Sequence, residues 1–313
     1  MAKSKQETVS THPVEAMNKD IEKRGIVVVD EVNRLPVYGE PYISNHLLLV
    51  INHEGVSHGE YDMQPVTFCH HDFSVIYPNH TILANDSSDD YRVTLVIISN
   101  SFYEQLRHRL TYGNSQVFHS QPTFHLGDEQ YKCICDTVKL LKTVSQMDFN
   151  RSKEVIASIL DTLSLMADEF RQKAAVSTRR QGDKASNSSG DDRAVVRTYF
   201  NHFYECLVNH FHESREVRYY ARELSLSPKY FGRIIKQETG VSAGEWIARY
   251  IVIRAKTLLR YQPYLTIQQI SHQLGFSDAT TFARYFRTSA GMTPKEYREN
   301  TLEWLSTNCQ SCR

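Results

Sequence analysis

The chain has 313 residues, of which 41% are hydrophobic and 23% charged, and its formal net charge at pH 7 is +0. This composition is that of an ordinary globular protein with enough residues for two domains. The charge is unevenly distributed, because residues 194–300 carry 15 Lys and Arg against 9 Asp and Glu. A basic C-terminal third beside an acidic remainder indicates a polyanionic partner for one end of the chain.

Several classes of protein are excluded by simple patterns. The first 24 residues contain no apolar run that resembles a signal peptide, and no 18 consecutive residues are apolar enough to predict a membrane span. The six cysteines are too sparse for a disulfide framework and are expected to be reduced. The sequence therefore predicts a cytoplasmic protein.

Residues 1–25 are predicted to form an N-terminal tail, and residues 26–99 have the pattern of short strands. β-branched and aromatic runs alternate with turn residues such as Gly39, Pro41, Gly55 and Gly59. The predicted strands are Ile26–Val29, His46–Ile51, Val66–Cys69, Phe73–Tyr77 and Tyr91–Ile98. Short strands with no helix between them favour an antiparallel barrel or sandwich.

Residues 128–170 have helical periodicity, with a break at residues 147–150 that predicts a helical hairpin. One face is expected to cover the barrel. The second helix is consistent with either a dimerisation surface or an intramolecular core. The two apolar faces consist of Tyr131, Ile134, Val138 and Leu141, and of Val155, Ile159, Leu163, Met166 and Phe170. Residues 174–193 lack large apolar side chains and are predicted to be a linker.

The sequence lacks the common motifs of enzyme chemistry. No P-loop, no Gly-x-Gly-x-x-Gly after a strand and no nucleophile elbow is present. His70 and His71 are adjacent and would point to opposite faces of a strand, and Cys133 and Cys135 would diverge on a helix. Cys309-x-x-Cys312 has zinc-like spacing but no second pair, so it is interpreted as part of a C-terminal tail. We therefore predict no enzyme activity, no catalytic residue, no metal and no cofactor.

The strongest pattern is an internal repeat between residues 217 and 297. At an offset of 51 residues, Phe231 aligns with Phe282, Arg233 with Arg284, and Gly240 with Gly291. A repeat of this length indicates one supersecondary unit built twice. Each copy has a short amphipathic segment, a turn and a second helix with exposed basic residues, which is the plan of a helix-turn-helix.

In the first copy, Ser227 is predicted to cap the second helix, with Pro228 at its first position. In the second copy, Gly275 provides the turn and Ser277 is predicted to be the cap. The side chains left on the outer faces are Lys229, Tyr230, Arg233 and Lys236, and Ala279, Thr280, Thr281, Arg284 and Arg287. Residues 244–260 read as one long helix that would hold the two units at a fixed separation.

These side chains suit the major groove of DNA. Arginine pairs with guanine, the methyl groups of threonine and alanine contact thymine, and Lys or Arg further along the helix contacts phosphate. The predicted base-reading residues are Lys229, Tyr230, Arg233, Ala279, Thr280, Thr281 and Arg284, and the predicted phosphate contacts are Lys236, Arg287, Ser227 and Ser277. The alternative interpretation is a helical bundle whose charged faces are only solvated.

The repeat also resembles a known family. Arg254-Ala255-Lys256-x-Leu258-Leu259, Leu274-Gly275-Phe276-Ser277-Asp278, Phe282-x-Arg284-x-Phe286-Arg287 and Gly291-Met292-Thr293-Pro294 are similar to the AraC/XylS family of bacterial transcription regulators. The resemblance extends over residues 199–298, and it implies that Lys229, Arg233, Thr280, Thr281 and Arg284 occupy base-reading positions. One departure is Ser225, where the family favours glycine; if the site needs a positive φ, serine costs about 1 kcal/mol there.

The resemblance implies a multi-domain α+β chain. Residues 26–173 would form a cupin-like antiparallel β-barrel with a helical hairpin, residues 174–193 a linker, residues 194–300 an all-α domain with two helix-turn-helix units, and residues 301–313 a tail. The expected partners are an operator in double-stranded DNA, a second copy of the chain, RNA polymerase and a small-molecule effector. In the alternative, the barrel binds no effector and acts only as a dimerisation or protein-interaction module.

Overall fold

The structure is a computed structural model, which describes residues 21–33, 39–106, 108–110, 121–148, 150–182 and 190–308. The expectations for Cys309, Cys312 and most of the N-terminal tail therefore lie outside the described residues.

The N-terminal half consists mainly of antiparallel strands in two sheets. The strands are β1 (Ile26–Val32), β2 (Tyr42–Ile43), β3 (Leu47–Glu54), β4 (Ser57–Tyr61), β5 (Gln64–Phe68), β6 (Asp72–Ile76), β7 (Thr81–Ser87), β8 (Arg92–Ile98) and β9 (Thr123–His125). One sheet has the order β1-β8-β3-β6-β9 and the other the order β2-β7-β4-β5. The predicted antiparallel β architecture is thus confirmed.

Four strands, β2, β4, β7 and β9, were not predicted. The sequence of β4 was interpreted as a turn because it contains His58 and Gly59 between polar neighbours. A Cβ atom at Gly59 would overlap the backbone of Leu83 on the paired strand β7. Here glycine permits close approach of two strands rather than a reversal of the chain.

The two sheets face each other across one core, and helices cover the outer face of the larger sheet. The space between the sheets is filled by side chains that include Val50, Tyr61, Ile82, Tyr91 and Val93. Because β3, β6 and β8 are covered on both faces, their apolar side chains run almost continuously along the strand, which made them easy to predict.

The outer helices are α1 (Asn100–Leu106), α2 (Asp128–Gln146) and α3 (Ser152–Gly182). The predicted hairpin of α2 and α3 is confirmed, and Ile134, Leu141 and Leu163 are fully buried against the larger sheet. On α3, Val155 of the predicted apolar face is exposed, whereas the neighbouring Ile156 is buried. Exposed leucines, Leu140 on α2 and Leu165 on α3, lie on the outer side of the hairpin.

The C-terminal half is helical. Its helices are α4 (Gly190–His210), α5 (Val217–Glu223), α6 (Pro228–Thr239), α7 (Ala243–Tyr261), α8 (Ile267–Gln273), α9 (Ala279–Ala290) and α10 (Pro294–Asn308). The helices α3 and α4 extend further into residues 174–193 than the predicted linker allows, and α10 extends beyond residue 300. Residues 183–189 lie outside the described residues.

A single core joins the C-terminal helices. Aromatic side chains of α4 pack on the long helix α7, with Phe203 and Trp246 at a centroid distance of 5.6 Å. Among the described residues, Ile43 of strand β2 is the one residue of the N-terminal sheets in the buried part of this core. Among the described residues, none of the helices is long and apolar enough to cross a membrane.

Candidate nucleic-acid interface

The C-terminal domain contains two helix-turn-helix units with matching geometry. In the first, α5 is followed by a turn and α6; in the second, α8 is followed by a turn and α9. Both second helices have 12 residues. Each ends at a glycine in the left-handed region, Gly240 with φ 76° and Gly291 with φ 78°. This left-handed cap satisfies a carbonyl of the last turn at little conformational cost.

The first unit presents its predicted site residues on one side of α6. Ser227 is the N-cap, as predicted, and its hydroxyl oxygen accepts a hydrogen bond from the backbone N–H of Tyr230 at 3.3 Å. Phe231, Ile234 and Ile235 are buried, which fixes the rotation of the helix. The opposite face exposes Lys229, Tyr230, Arg233 and Lys236.

Tyr230 and Arg233 are coupled. The Arg233 guanidinium lies 4.9 Å from the centroid of the Tyr230 ring, and that ring makes an edge contact with Tyr199 of α4. A guanidinium over a tyrosine ring is attracted by the ring's negative face. Tyr230 therefore restricts the directions in which Arg233 can point.

The second unit differs from the prediction at its cap. The N-cap of α9 is Asp278 and not Ser277. The Asp278 carboxylate accepts hydrogen bonds from the backbone N–H of Thr281 at 2.8 Å, from its hydroxyl at 2.9 Å and from the hydroxyl of Ser277 at 2.8 Å. The backbone N–H of Thr281, followed by the two hydroxyls, lowers the pKa of Asp278 to about 2.

The shift of the cap has a simple cause. Leu224 and Leu274 both end the first helix of their unit and lie 50 residues apart, whereas the caps Ser227 and Asp278 lie 51 residues apart. The second turn is therefore one residue longer. When residues are counted from the first helix of each unit, Ser277 corresponds to Ser227. The helix α9 begins one residue later than this count predicts.

The predicted site residues of α9 lie on its outer side. Thr280, Arg284 and Arg287 are exposed, and Ala279 and Thr281 are half-buried, whereas Phe282 and Phe286 are fully buried. The structure thus brings the predicted contacts of each unit together on one helix. The Thr281 hydroxyl is hydrogen-bonded to Asp278, so the methyl group of Thr281 is the part of the side chain that would be available for a base contact.

Both turns require a residue with positive φ. Ser225 has φ 56° and Gly275 has φ 72°. A Cβ atom at Gly275 would also overlap the backbone carbonyl of His212, whereas the first turn accommodates the side chain of Ser225. The first turn therefore tolerates serine, although Ser225 must adopt a left-handed backbone there. This is the condition under which serine was expected to cost about 1 kcal/mol.

Arg215 connects the two units, a role that the sequence did not reveal. Its guanidinium donates a hydrogen bond to the carbonyl oxygen of Leu274 at 2.8 Å and lies 3.6 Å from the centroid of the Phe276 ring. Burial lowers the pKa of Arg215, although the group remains a cation. The segment before the first unit thus holds the turn of the second.

The long helix α7 completes the frame. Its N-cap Ser242 accepts a hydrogen bond from the backbone N–H of Glu245 at 3.2 Å. Trp246, Tyr250, Ile251 and Leu259 are buried along its length. Since α7 packs against α6, α9 and α10, it fixes the relative position of the two units.

The N-terminal domain contributes two further features. His70 and His71 lie in the turn between β5 and β6, with ring centroids 4.8 Å apart, rather than on opposite faces of a strand. In the part of the chain that the structure describes, no three His, Cys, Asp or Glu side chains are arranged to hold a metal ion. A cavity of about 600 Å³ lies where the β4–β5 hairpin, α3, α4 and α6 approach each other.

Comparisons with known proteins agree with this geometry. Residues 220–300 match the helix-turn-helix domain family HTH_18. The Msm operon regulatory protein of Streptococcus mutans is 31% identical over 109 residues, 35% of this chain and 39% of that protein. The transcriptional activator RhaS of Escherichia fergusonii is 30% identical over 116 residues, 37% of this chain and 41% of that protein. The matched region therefore spans about two fifths of these relatives.

A solved structure, ToxT from Vibrio cholerae, is similar over 87% of this chain and 94% of its own, with a TM-score of 0.46 and 15% identity. The named curated relatives are regulators of transcription and not enzymes. The likeness to helix-turn-helix regulators is therefore that of the C-terminal domain, residues 220–300.

Proposed function

We propose that this protein is a transcription regulator that binds double-stranded DNA in a sequence-specific manner. The main support for this proposal is the pair of equivalent helices α6 and α9. Their apolar faces are buried in one core, and their basic faces are exposed. An α-helix fits into the major groove, and two such helices on one frame would enter successive major grooves.

The residue roles follow from side-chain chemistry. Arg233 and Arg284 have the planar donors that pair with guanine, and Lys229, Tyr230 and Thr280 flank them on the same helix faces. The methyl groups of Ala279 and Thr281 suit the methyl group of thymine. Lys236, Arg287, Ser227 and Ser277 lie at the ends or edges of these faces, where contacts to phosphate position a protein without reading sequence.

The test begins with sites selected from random duplex DNA by the full-length protein. Arg284→Ala should lose about 1–3 kcal/mol at one base position and relax the preference there. Lys236→Ala should weaken binding to all sequences alike and reduce its salt dependence.

Lys295→Ala is the matched control, because Lys295 is an exposed cation that pairs with Glu299 on α10 and has no assigned contact. Equal losses on every sequence for Arg284→Ala and Lys236→Ala would refute Arg284 as a base reader. Failure to select any sequence would refute sequence-specific binding itself.

For the N-terminal domain we propose that it regulates how the DNA-binding domain is held. Side chains fill the space between its two sheets, so an effector is better placed in the cavity where the barrel meets α3 and α4. The cavity is lined by two basic residues, Arg171 and Arg197, by two acidic residues, Asp62 and Glu238, and by apolar side chains such as Phe200. This mixed lining suits a small organic molecule that carries both polar groups and an apolar body.

The alternative role is that of a dimerisation or protein-interaction module without an effector. The exposed Leu140 and Leu165 on the α2–α3 hairpin support this role. A thermal-shift screen of the full-length protein against small organic acids and sugars discriminates the two. A ligand at 100 times its Kd should stabilise the protein by about 2.7 kcal/mol. A screen without any shift, for a protein that is dimeric in solution, favours the module.

A further inference from the structure

The exposed ring of Tyr230 on α6 is contacted from outside the helix-turn-helix unit. Tyr199 of α4 meets this ring edge-on, with a centroid distance of 6.4 Å and an interplanar angle of 87°. An edge-to-face arrangement at this separation is favourable for two aromatic rings. Tyr199 lies before residues 220–300, which match the helix-turn-helix domain family, so it is not part of the matched domain.

The position of Tyr199 is itself fixed by the packing of α4 on α6. One turn further along α4, Phe203 is fully buried and makes an edge contact with Phe231 of α6 at a centroid distance of 5.1 Å. Two residues before Tyr199, Arg197 forms an ion pair with Glu238 at 3.4 Å. These two contacts lie on either side of Tyr199 along α4, so they hold its ring at a defined place beside α6.

Tyr199, Tyr230 and Arg233 form an aromatic row that leads from the core to the outer face of α6. Tyr199 is half-buried, whereas Tyr230 and Arg233 are exposed. The Arg233 guanidinium lies 4.9 Å from the centroid of the Tyr230 ring. Each member of the aromatic row restricts the next, because Tyr199 limits the orientation of the Tyr230 ring and that ring attracts the guanidinium.

The second unit is built differently at the equivalent positions. At the offset of 51 residues, Thr281 takes the place of Tyr230, and its hydroxyl donates a hydrogen bond to the carboxylate of Asp278. Within the part of the chain that the structure describes, no aromatic ring holds the Arg284 guanidinium as Tyr230 holds that of Arg233. A long arginine side chain loses rotamer freedom on binding, and one that is already held in its bound direction loses less.

We propose that Tyr199 is a positioning residue for base reading, which orients Arg233 towards one base by holding the Tyr230 ring. This inference rests on the proposed function and adds a residue of α4 to the specificity of the first unit. Arginine recognises guanine through two hydrogen bonds of fixed geometry, so discrimination depends on the direction of the guanidinium. Loss of the Tyr199 ring therefore relaxes the preference at one base position.

The test uses the full-length protein and duplexes that vary at single base positions of a site selected from random DNA. Arg233→Ala first identifies the base position that Arg233 reads, as the position where the preference is lost. Tyr199→Leu keeps an apolar side chain but removes the ring. It should lower the discrimination at that same position by about twofold to tenfold, the range expected for the loss of one aromatic pair. The position that Arg284 reads should keep its preference.

Three further variants separate positioning from a general loss of structure. Tyr199→Phe keeps the ring and should retain the discrimination of the native protein. Tyr219→Leu is the matched control, because Tyr219 is another half-buried tyrosine of the DNA-binding domain, whose described ring contacts lie on α4 and α5 rather than on α6. It should leave the preference at the Arg233 position unchanged. In an Arg233→Ala background, Tyr199→Leu should cause no further loss of discrimination there.

A measurement without DNA follows the orientation of Arg233 itself. The Tyr230 ring shifts the side-chain NMR signals of Arg233 in the free protein, and these signals are assigned by their absence in Arg233→Ala. Tyr199→Leu should move them towards the values of an unrestrained arginine, whereas Tyr199→Phe should leave them in place. Signals that do not move in Tyr199→Leu overturn the positioning role, whatever the effect of this variant on DNA affinity.

Two DNA-binding results also overturn the positioning role of Tyr199. One is full discrimination at the Arg233 position in Tyr199→Leu, and the other is an equal loss at every position of the site. If Arg233→Ala itself relaxes no position, the reading role of Arg233 fails and the positioning role fails with it. The selection of a specific site by the native protein would still support the proposed function, so the two failures are distinguishable.

Discussion

The two helix-turn-helix units have the same backbone plan but satisfy it with different residues. Both turns need a positive φ, which Ser225 adopts at 56° and Gly275 at 72°. Both residues are exposed, but a Cβ atom at Gly275 would overlap the backbone carbonyl group of His212. Glycine is therefore needed in the second turn for space as well as for conformation, whereas the first turn has room for a side chain and accepts serine at a conformational cost.

Gly275→Ala should have the largest effect of the changes that test this comparison. The alanine must adopt a left-handed backbone, at about 1–2 kcal/mol, and must displace the backbone at His212, which adds about 1–3 kcal/mol. The total loss of about 2–5 kcal/mol is measurable by chemical denaturation.

Gly291→Ala separates the two contributions. Gly291 has φ 78°, but no atom lies within 4 Å of the position that its Cβ would occupy. It should lose only the conformational part, about 1–2 kcal/mol. Equal losses for Gly275→Ala and Gly291→Ala would show that the close approach of His212 does not constrain the turn.

Arg215→Ala should have the next largest effect on stability, because this side chain supports the second turn. Among the described residues, none makes the same contacts with the first turn. The change removes the hydrogen bond to Leu274 and the packing on Phe276. We expect a loss of about 2 kcal/mol in the free energy of unfolding.

Arg218→Ala serves as the control for Arg215→Ala, since the side chain of Arg218 is 82% exposed and its ion pair with Glu216 lies on the surface. It should change stability by less than about 0.5 kcal/mol. Similar losses for the two variants would mean that Arg215 contributes only its charge.

The two caps should differ in their response to pH. Ser227→Ala removes an uncharged cap and should cost about 1 kcal/mol at every pH. Asp278 has its pKa lowered to about 2, so its contribution is complete above the unfolded-state pKa of about 4 and is lost as the pH falls towards 2.

Asp278→Asn keeps a side-chain acceptor for the cap but removes the charge. The difference in melting temperature between the native protein and this variant should therefore shrink as the pH falls from about 4 to 2. Curves that stay parallel over this range would show that the charge of Asp278 does not stabilise the cap.

The same comparison shows what could be predicted from the sequence. Apolar periodicity predicts the helices α6, α7 and α9. The basic side chains at the positions outside the apolar pattern predict the exposed faces of α6 and α9. The cap at Asp278 was missed because the offset between the copies changes from 50 to 51 within the turn, and Ser277 has suitable cap chemistry one residue too early. Offsets between repeats are set by local turn geometry, which side-chain identity alone does not determine.

Contacts between distant segments could not be predicted for a different reason. Arg215 reaches a carbonyl group 59 residues later in the chain, and Asn79 accepts a hydrogen bond from Arg254. Neither residue belongs to a periodic pattern or a motif. Their partners are backbone atoms or single side chains, so no local spacing marks them.

Ser225→Gly should have the smallest effect and the opposite sign. Glycine relieves the left-handed strain of about 1–2 kcal/mol at this position but adds about 0.5–1 kcal/mol of conformational entropy to the unfolded chain. The net stabilisation is therefore at most about 1.5 kcal/mol. Chemical denaturation can detect a change of this size when Ser225→Gly is compared with Ser225→Ala.

Ser225→Ala retains the strain, so it should leave stability within about 0.5 kcal/mol of the native protein. A loss of stability in both variants would mean that the Ser225 hydroxyl, and not the backbone, determines the energetics of the first turn. A gain confined to glycine would show that the first unit uses the same backbone as the second while lacking the residue best suited to it. The two units would then differ in stability because of one turn residue, although their exposed faces are built alike.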